Sequence, residues 1–133
     1  MNRQSRAKLR SLFRCFNSSP EVISCRFAAN SGSGMKNIFS APTVVNCNFE
    51  NNTGAFGGAM NNDDSTPILI NCSIANNSST ISAGAIHNAN GVFLQIVNSI
   101  IWGNTGQGNN TIANVTGSST TFSYSCVETI SPV

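Results

Sequence analysis

The sequence predicts an all-β chain wound as a parallel β-solenoid of about four to five coils. Three observations carry that prediction. The first is a phrase written four times: Val22-Ile23-Ser24-Cys25-Arg26-Phe27, Val44-Val45-Asn46-Cys47-Asn48-Phe49, Leu69-Ile70-Asn71-Cys72-Ser73-Ile74 and Ile96-Val97-Asn98-Ser99-Ile100-Ile101, with a fainter fifth copy at Ser123-Tyr124-Ser125-Cys126-Val127-Glu128. At the Cys/Ser position the steps 25→47→72→99→126 are 22, 25, 27 and 27 residues. Self-similarity at a fixed period of about 20–50 residues marks stacked repeat units. The second is another column with the same period: Gly34-Met35-Lys36-Asn37, Ala59-Met60-Asn61-Asn62, Ala85-Ile86-His87-Asn88 and Thr111-Ile112-Ala113-Asn114. The third is that two short strands and their turns fill each repeat, leaving no room for an ordinary helix. That suits a β-solenoid better than leucine-rich or helical repeats.

Taken in order, residues 1–17 form a basic segment holding five of the seven basic residues, Arg3, Arg6, Lys8, Arg10 and Arg14. Leu9, Leu12, Phe13 and Phe16 fall at i, i+3, i+4, i+7, which predicts a short amphipathic helix capping the open end of the stack. Two alternatives are a cationic membrane-surface or transit-like segment, and sequence foreign to the repeat. No signal peptide is visible, because no apolar run of about 7–15 residues follows the basic start.

Residues 18–128 carry the repeats. Apolar residues alternate within each copy, and alternation means a strand with one buried face. That predicts Ile23, Val45, Ile70 and Val97 in one buried column and Cys25, Cys47, Cys72 and Ser99 in the next. Three residues after each strand stands an asparagine: Asn30, Asn52, Asn77 and Asn104. An amide both donates and accepts, so stacked copies can form an asparagine ladder. On this register Glu128 falls in the column of Phe27, Phe49, Ile74 and Ile101. Residues 129–133 read as a C-terminal tail, and the last coil is expected to leave an unpaired strand edge that favours end-to-end self-association.

Composition narrows the function classes. Only 9% of residues are charged, and the body beyond the basic start is nearly neutral, so no nucleic acid partner is expected. No run of about 18 apolar residues encodes a transmembrane segment. The 40% hydrophobic content comes in periodic bursts that supply a core, which argues against disorder.

Phe49-Glu50-Asn51-Asn52 followed by Gly57-Gly58-Ala59-Met60, the Asn-Cys-x-Phe/Ile strands, and Ser99-Ile100-Ile101-Trp102-Gly103-Asn104 carry a resemblance. Over about residues 18–128 they look like bacterial right-handed parallel β-helix repeat proteins. The F-x-x-N and G-G-A-[ILM] pair resembles polymorphic outer-membrane and autotransporter-like surface proteins. The resemblance implies a right-handed coil and an extracellular or outer-membrane location. Ala83-Gly84 in place of Gly-Gly, and a lone Gly34, depart from the pattern.

Four residues are candidates for chemistry or glycan contact: Asp63, Asp64, His87 and Trp102. Glycoside hydrolysis uses two carboxyls about 5–10 Å apart, and Asp63-Asp64 one coil from His87 is the nearest approach to such a set. The bland reading makes Asn61 to Pro67 an exposed turn of the kind Asn and Asp favour, with His87 pointing outward and Trp102 covered by a turn. Stacked cysteines about 4.8 Å apart suit a small apolar slot better than disulfides, so Cys25, Cys47, Cys72 and Cys126 are expected to be buried thiols; Cys15 has no place in that ladder. No cofactor or metal is expected. The sequence thus reads as a non-enzymatic surface or secreted repeat segment with a structural, adhesion or display role, whose partners would be surface glycans or other proteins. The alternative is a fragment of a carbohydrate-active β-helix protein.

Overall fold

A computed structural model of the chain describes residues 8–9, 13–107 and 110–128. Every pairing between its strands is parallel, and partners lie one coil apart. Three long sheets run along the stack, and a fourth, two-stranded one pairs Thr53–Gly54 with Ser78–Ser79. The first face is built from Phe13–Phe16, Met35–Ile38, Met60–Asp63, Ile86–Ala89 and Ile112–Asn114. The second comprises Glu21–Ile23, Thr43–Val45, Ile68–Ile70, Phe93–Val97 and Ser119–Ser123. The third comprises Lys8–Leu9, Arg26–Ala28, Asn48–Glu50, Ser73–Ala75, Ile100–Trp102 and Cys126–Val127. About five coils result, as the repeat predicts.

The bends between faces follow one rule. Each places a residue in the left-handed region: Ser24, Asn46, Asn71, Asn98 and Tyr124 after the second face, and Ala29, Asn51, Asn76 and Gly103 after the third. Asparagine and glycine tolerate that conformation best, which accounts for the wealth of Asn at corners. The residue after each bend then points inward, giving Cys25, Cys47, Cys72 and Ser99 in one column and Asn30, Asn52, Asn77 and Asn104 in another.

This rule corrects the expected core. Ile23, Val45, Ile70 and Val97 are only half-buried, and the buried column is Val22, Val44, Leu69 and Ile96. Alternation holds within a strand, but the left-handed residue between strands resets it, so positions three apart face the same way. The neighbouring column stands as predicted: Phe27, Phe49, Ile74 and Ile101 have no solvent exposure. Phe27 and Phe49 stack with ring centroids 4.6 Å apart and an 8° interplanar angle.

The last step of the repeat also differs. Ile100 pairs with Cys126 and Ile101 with Val127, so Ser125 continues the Cys/Ser column and the step from Ser99 is 26 residues. Val127, not Glu128, occupies the phenylalanine column. Glu128 instead lends its carboxylate to the Gly103 N–H at 2.9 Å. Phe122, in the last coil, is 48% exposed although its counterparts in the four preceding coils are buried.

At the other end, the predicted capping helix fails where it can be seen. Phe13–Phe16 is a strand paired with Met35–Ile38, and Lys8–Leu9 pairs with Arg26–Phe27. Within that strand Phe13 is half-buried and Phe16 is 59% exposed, so the two do not share the one apolar face a helix would give them. Residues 1–7 and 10–12 of that expectation, and the tail at 129–133, lie outside the described residues.

Both asparagine ladders exist. Asn37, Asn62 and Asn88 each donate from Nδ2 to the Oδ1 of the next copy at 2.8 Å, ending on Asn114. Asn52 and Asn77 do likewise at 2.9 Å, while also donating to the carbonyls of Phe27 and Phe49. Register places Cys15 opposite Asn37, so the residue that sequence could not place is the first rung of this ladder. It cannot donate as an amide does, and the Asn37 Oδ1 is buried without a hydrogen-bond partner. Cys15→Asn is therefore expected to raise stability by about 1 kcal/mol, read as a higher denaturant midpoint with an unchanged m-value.

The glycine motif has a steric cause. A Cβ on Gly58 would lie 2.5 Å from the Ser78 carbonyl oxygen and 2.6 Å from that of Gly84. Gly34, Gly58 and Gly84 form one hydrogen-bonded column, so the second glycine of the pair recurs in all three coils. The first varies with the local backbone: Gly57 has φ 71° and a Cβ there would run into the Met60 carbonyl oxygen, whereas Ser33 and Ala83 stand at the same place without positive φ, which accounts for both departures from the motif.

Candidate functional site

Outward residues of the first face form two columns. One is Arg14, Lys36, Asn61, His87 and Ala113; the next is Phe16, Ile38, Asp63 and Ala89. Inward alternation of Met35/Asn37, Met60/Asn62 and Ile86/Asn88 fixes these side chains outward. Between the columns lies a shallow hollow of about 160 Å³ lined by Lys36, Phe56, Asn61, Asp63, His87 and Ala89.

His87 faces outward, as expected, but it is held. Its Nδ1 lies 2.7 Å from the Ser82 hydroxyl, and its ring meets Phe56 with centroids 5.1 Å apart, tilted by 58°. Burial lowers its pKa below the usual value, with the Asp63 charge pulling the other way. The Asp63 Oδ1 accepts a 2.6 Å bond from Asn90 Nδ2, one coil on. The consequence for pH has a definite sign. An imidazole whose folded pKa lies below its unfolded value of about 6.5 leaves the unfolded state holding more protons, so stability rises with pH. The contribution is complete above about 6.5 and is lost as pH falls through the folded pKa. Melting temperature should decline as pH falls below about 6.5, and His87→Gln should flatten that decline.

The four candidate residues are not one constellation. Asp63 and His87 share the hollow. Asp64 sits on the following bend with φ 48° and lines a different depression, with Phe39, Ser65 and Thr66. Asn61 to Asp63 are strand and Asn62 is fully buried, so only the stretch from Asp64 to Pro67 lies between strands. Trp102 lies on the third face, 53% exposed, so the expectation that a turn covers it was wrong; its strand neighbour across the stack is Ala75, too small to hide an indole.

Sequence reading missed Asn61 and Phe56 as partners in the hollow. The asparagine was legible, since it stands directly before a ladder residue, as Lys36 and His87 do. Phe56 belongs to an aperiodic loop and gave no signal. Among the described residues no three His, Cys, Asp or Glu side chains assemble as a metal-binding group, and no helix is long and apolar enough to cross a membrane.

The cysteines are all thiols. Cys15, Cys25, Cys47 and Cys72 are buried, whereas Cys126, one residue past its expected column, is exposed. Burial pushes Cys15 up to about 11 and Cys47 up to about 12, and raises Cys72 as well. Thiolate is the reactive form. A thiol reagent should therefore label Cys126 at once in native protein and the other four only after denaturation; fast native labelling of Cys47 would contradict the packing.

Comparison with protein-family models, curated proteins and solved structures finds no match to this chain.

Proposed function

We propose that the chain is a non-enzymatic β-solenoid segment of a surface or secreted protein, serving a structural, adhesion or display role. The observation supporting this is how the polar side chains are used. Amides bond along the stack, and the five carboxylates of the body are dispersed: Glu21 exposed on the second face, Glu50 on Arg26, Glu128 on the Gly103 amide, Asp63 in the hollow and Asp64 on a bend. A hydrolytic pair needs two carboxyls facing one bond, and Asp63 and Asp64 line separate depressions. Right-handed winding and kinship with polymorphic outer-membrane and autotransporter-like proteins belong to this reading, on the strength of the F-x-x-N and G-G-A-[ILM] motifs. Surface labelling of intact source cells tests it: the chain should be labelled and clipped by external protease, and purely internal protein would contradict the proposal. Polysaccharides incubated with the chain should show no new reducing ends; release abolished by Asp63→Asn would contradict it equally.

End-to-end association is part of the same proposal, supported by the exposure of Phe122 in the last described coil. Sedimentation should show oligomers that Phe122→Asp disperses; a monomer at high concentration would contradict it. The second reading, a glycan-contacting fragment of a carbohydrate-active protein, is favoured by the hollow that joins Phe56, Asp63 and His87.

A further inference from the structure

We propose that the hollow on the first face binds a neutral saccharide, its hydroxyls held by Lys36, Asn61 and Asp63 and its ring laid against Phe56. This deepens the second reading above and rests on it.

Three observations carry the inference. The first is unfilled hydrogen-bonding capacity at one place. Arg26–Glu50 is the ion pair among the described residues; Lys36 and Asp63 line the same hollow without closing on each other. Asn90 takes one oxygen of Asp63 and leaves the other available, and the Asn61 amide has no side-chain bond of its own within the described residues. These groups comprise a cationic donor, an amide that does both, and an anionic acceptor. A hydroxyl donates and accepts at once, so adjacent hydroxyls of a sugar can answer Lys36 and Asp63 together.

The second is charge. The hollow holds one cation and one anion, and His87 is kept toward its neutral form by burial. The sum is zero. An anionic ligand would confront Asp63 and a cationic one Lys36, whereas an uncharged polyhydroxyl compound meets neither repulsion. The third is the aromatic wall. Phe56 is 40% exposed and braced by the tilted His87 ring, which Ser82 holds in turn. A braced, half-exposed ring offers an apolar plate for the C–H face of a sugar without ordering a mobile side chain. The volume of about 160 Å³ is that of a few waters, on the scale of a single ring. Away from Arg14 the column continues from Asn61 through His87 to the uncharged Ala113, so a linear neutral chain can extend beyond the hollow.

The test is titration of the whole chain, followed by NMR of the His87 imidazole and Asn61 side-chain signals. The probes are neutral hexasaccharides (cello-, malto-, manno- and xylo-) beside oligogalacturonate and chitosan oligomers. At least one neutral probe should shift both signals with a Kd on the order of 1 mM. Phe56→Leu, which keeps bulk but removes the ring, and Asp63→Asn should each weaken it about tenfold without lowering the melting temperature, while Glu50→Gln should leave it unchanged. Silence from every neutral probe, tighter binding of either charged oligomer, or full affinity in Asp63→Asn would overturn the proposal. Failure here leaves the scaffold reading standing, because cell-surface labelling tests that separately.

Discussion

Phe49→Ala will destabilise the chain by about 3–5 kcal/mol, the range seen when a large buried ring is truncated and its site cannot collapse. Three features place this residue at the top of that range. Its side chain has no solvent exposure, it stacks on Phe27 at 4.6 Å, and it pairs in register with Ile74 on the other side. In-register backbones hydrogen-bonded above and below cannot close around the void, because moving one strand would break two ladders. Domains are stable by only about 5–15 kcal/mol, so one such loss removes a large share. Chemical denaturation should show a much lower midpoint, while Phe56→Ala, at the half-exposed ring, should change it far less. Equal effects at both sites would contradict the core described.

The second large effect is expected at Asn77, in the middle of a ladder. Its Oδ1 accepts from both the backbone N–H and Nδ2 of Asn52, at 3.0 and 2.9 Å, and its Nδ2 donates to the Phe49 carbonyl and to Asn104 Oδ1. Asn77→Ala strands the Asn52 N–H in the core and takes one hydrogen bond each from the Asn52 Nδ2 and the Phe49 carbonyl. A buried group left without its partner costs about 1–3 kcal/mol, and with the two further bonds the loss comes to about 3–5 kcal/mol. Asn76→Ala is the matched control. Asn76 is exposed on the bend with φ 58°, and losing Asn there should cost about 1–2 kcal/mol, the ordinary penalty for an alanine in left-handed backbone. Adjacent asparagines with unequal penalties would separate ladder from bend.

The repeat made the architecture legible because two columns keep one period, and only stacking explains that. The phenylalanine column and both asparagine columns were readable for the same reason. Misplacement of Ile23, Val45, Ile70 and Val97 has a single cause: a left-handed bend shifts the inside–outside pattern by one, and alternation alone does not reveal where bends fall. The sequence did contain the clue, since Ser24, Asn46, Asn71 and Asn98 are residues that tolerate positive φ. The same slip put Cys126 and Glu128 one position out of register, because the final step is shorter than the one before it. At the site, Asp63 and His87 were readable as neighbours one coil apart. The hollow was not, since Phe56 belongs to a loop with no period and the Ser82 and Asn90 contacts depend on how that loop and the bends fold back.

The central claim is a parallel stack in which residues about 25 apart touch through their side chains. Nuclear Overhauser spectroscopy on isotope-labelled protein tests it most directly. Cross-peaks are predicted between the Phe49 ring and both the Phe27 ring and the Ile74 methyls, between the methyls of Ile74 and Ile101, and between the side-chain amides of Asn62 and Asn88. Cross-peaks instead linking each strand to its immediate neighbour in sequence, in the pattern of antiparallel hairpins, would contradict the account.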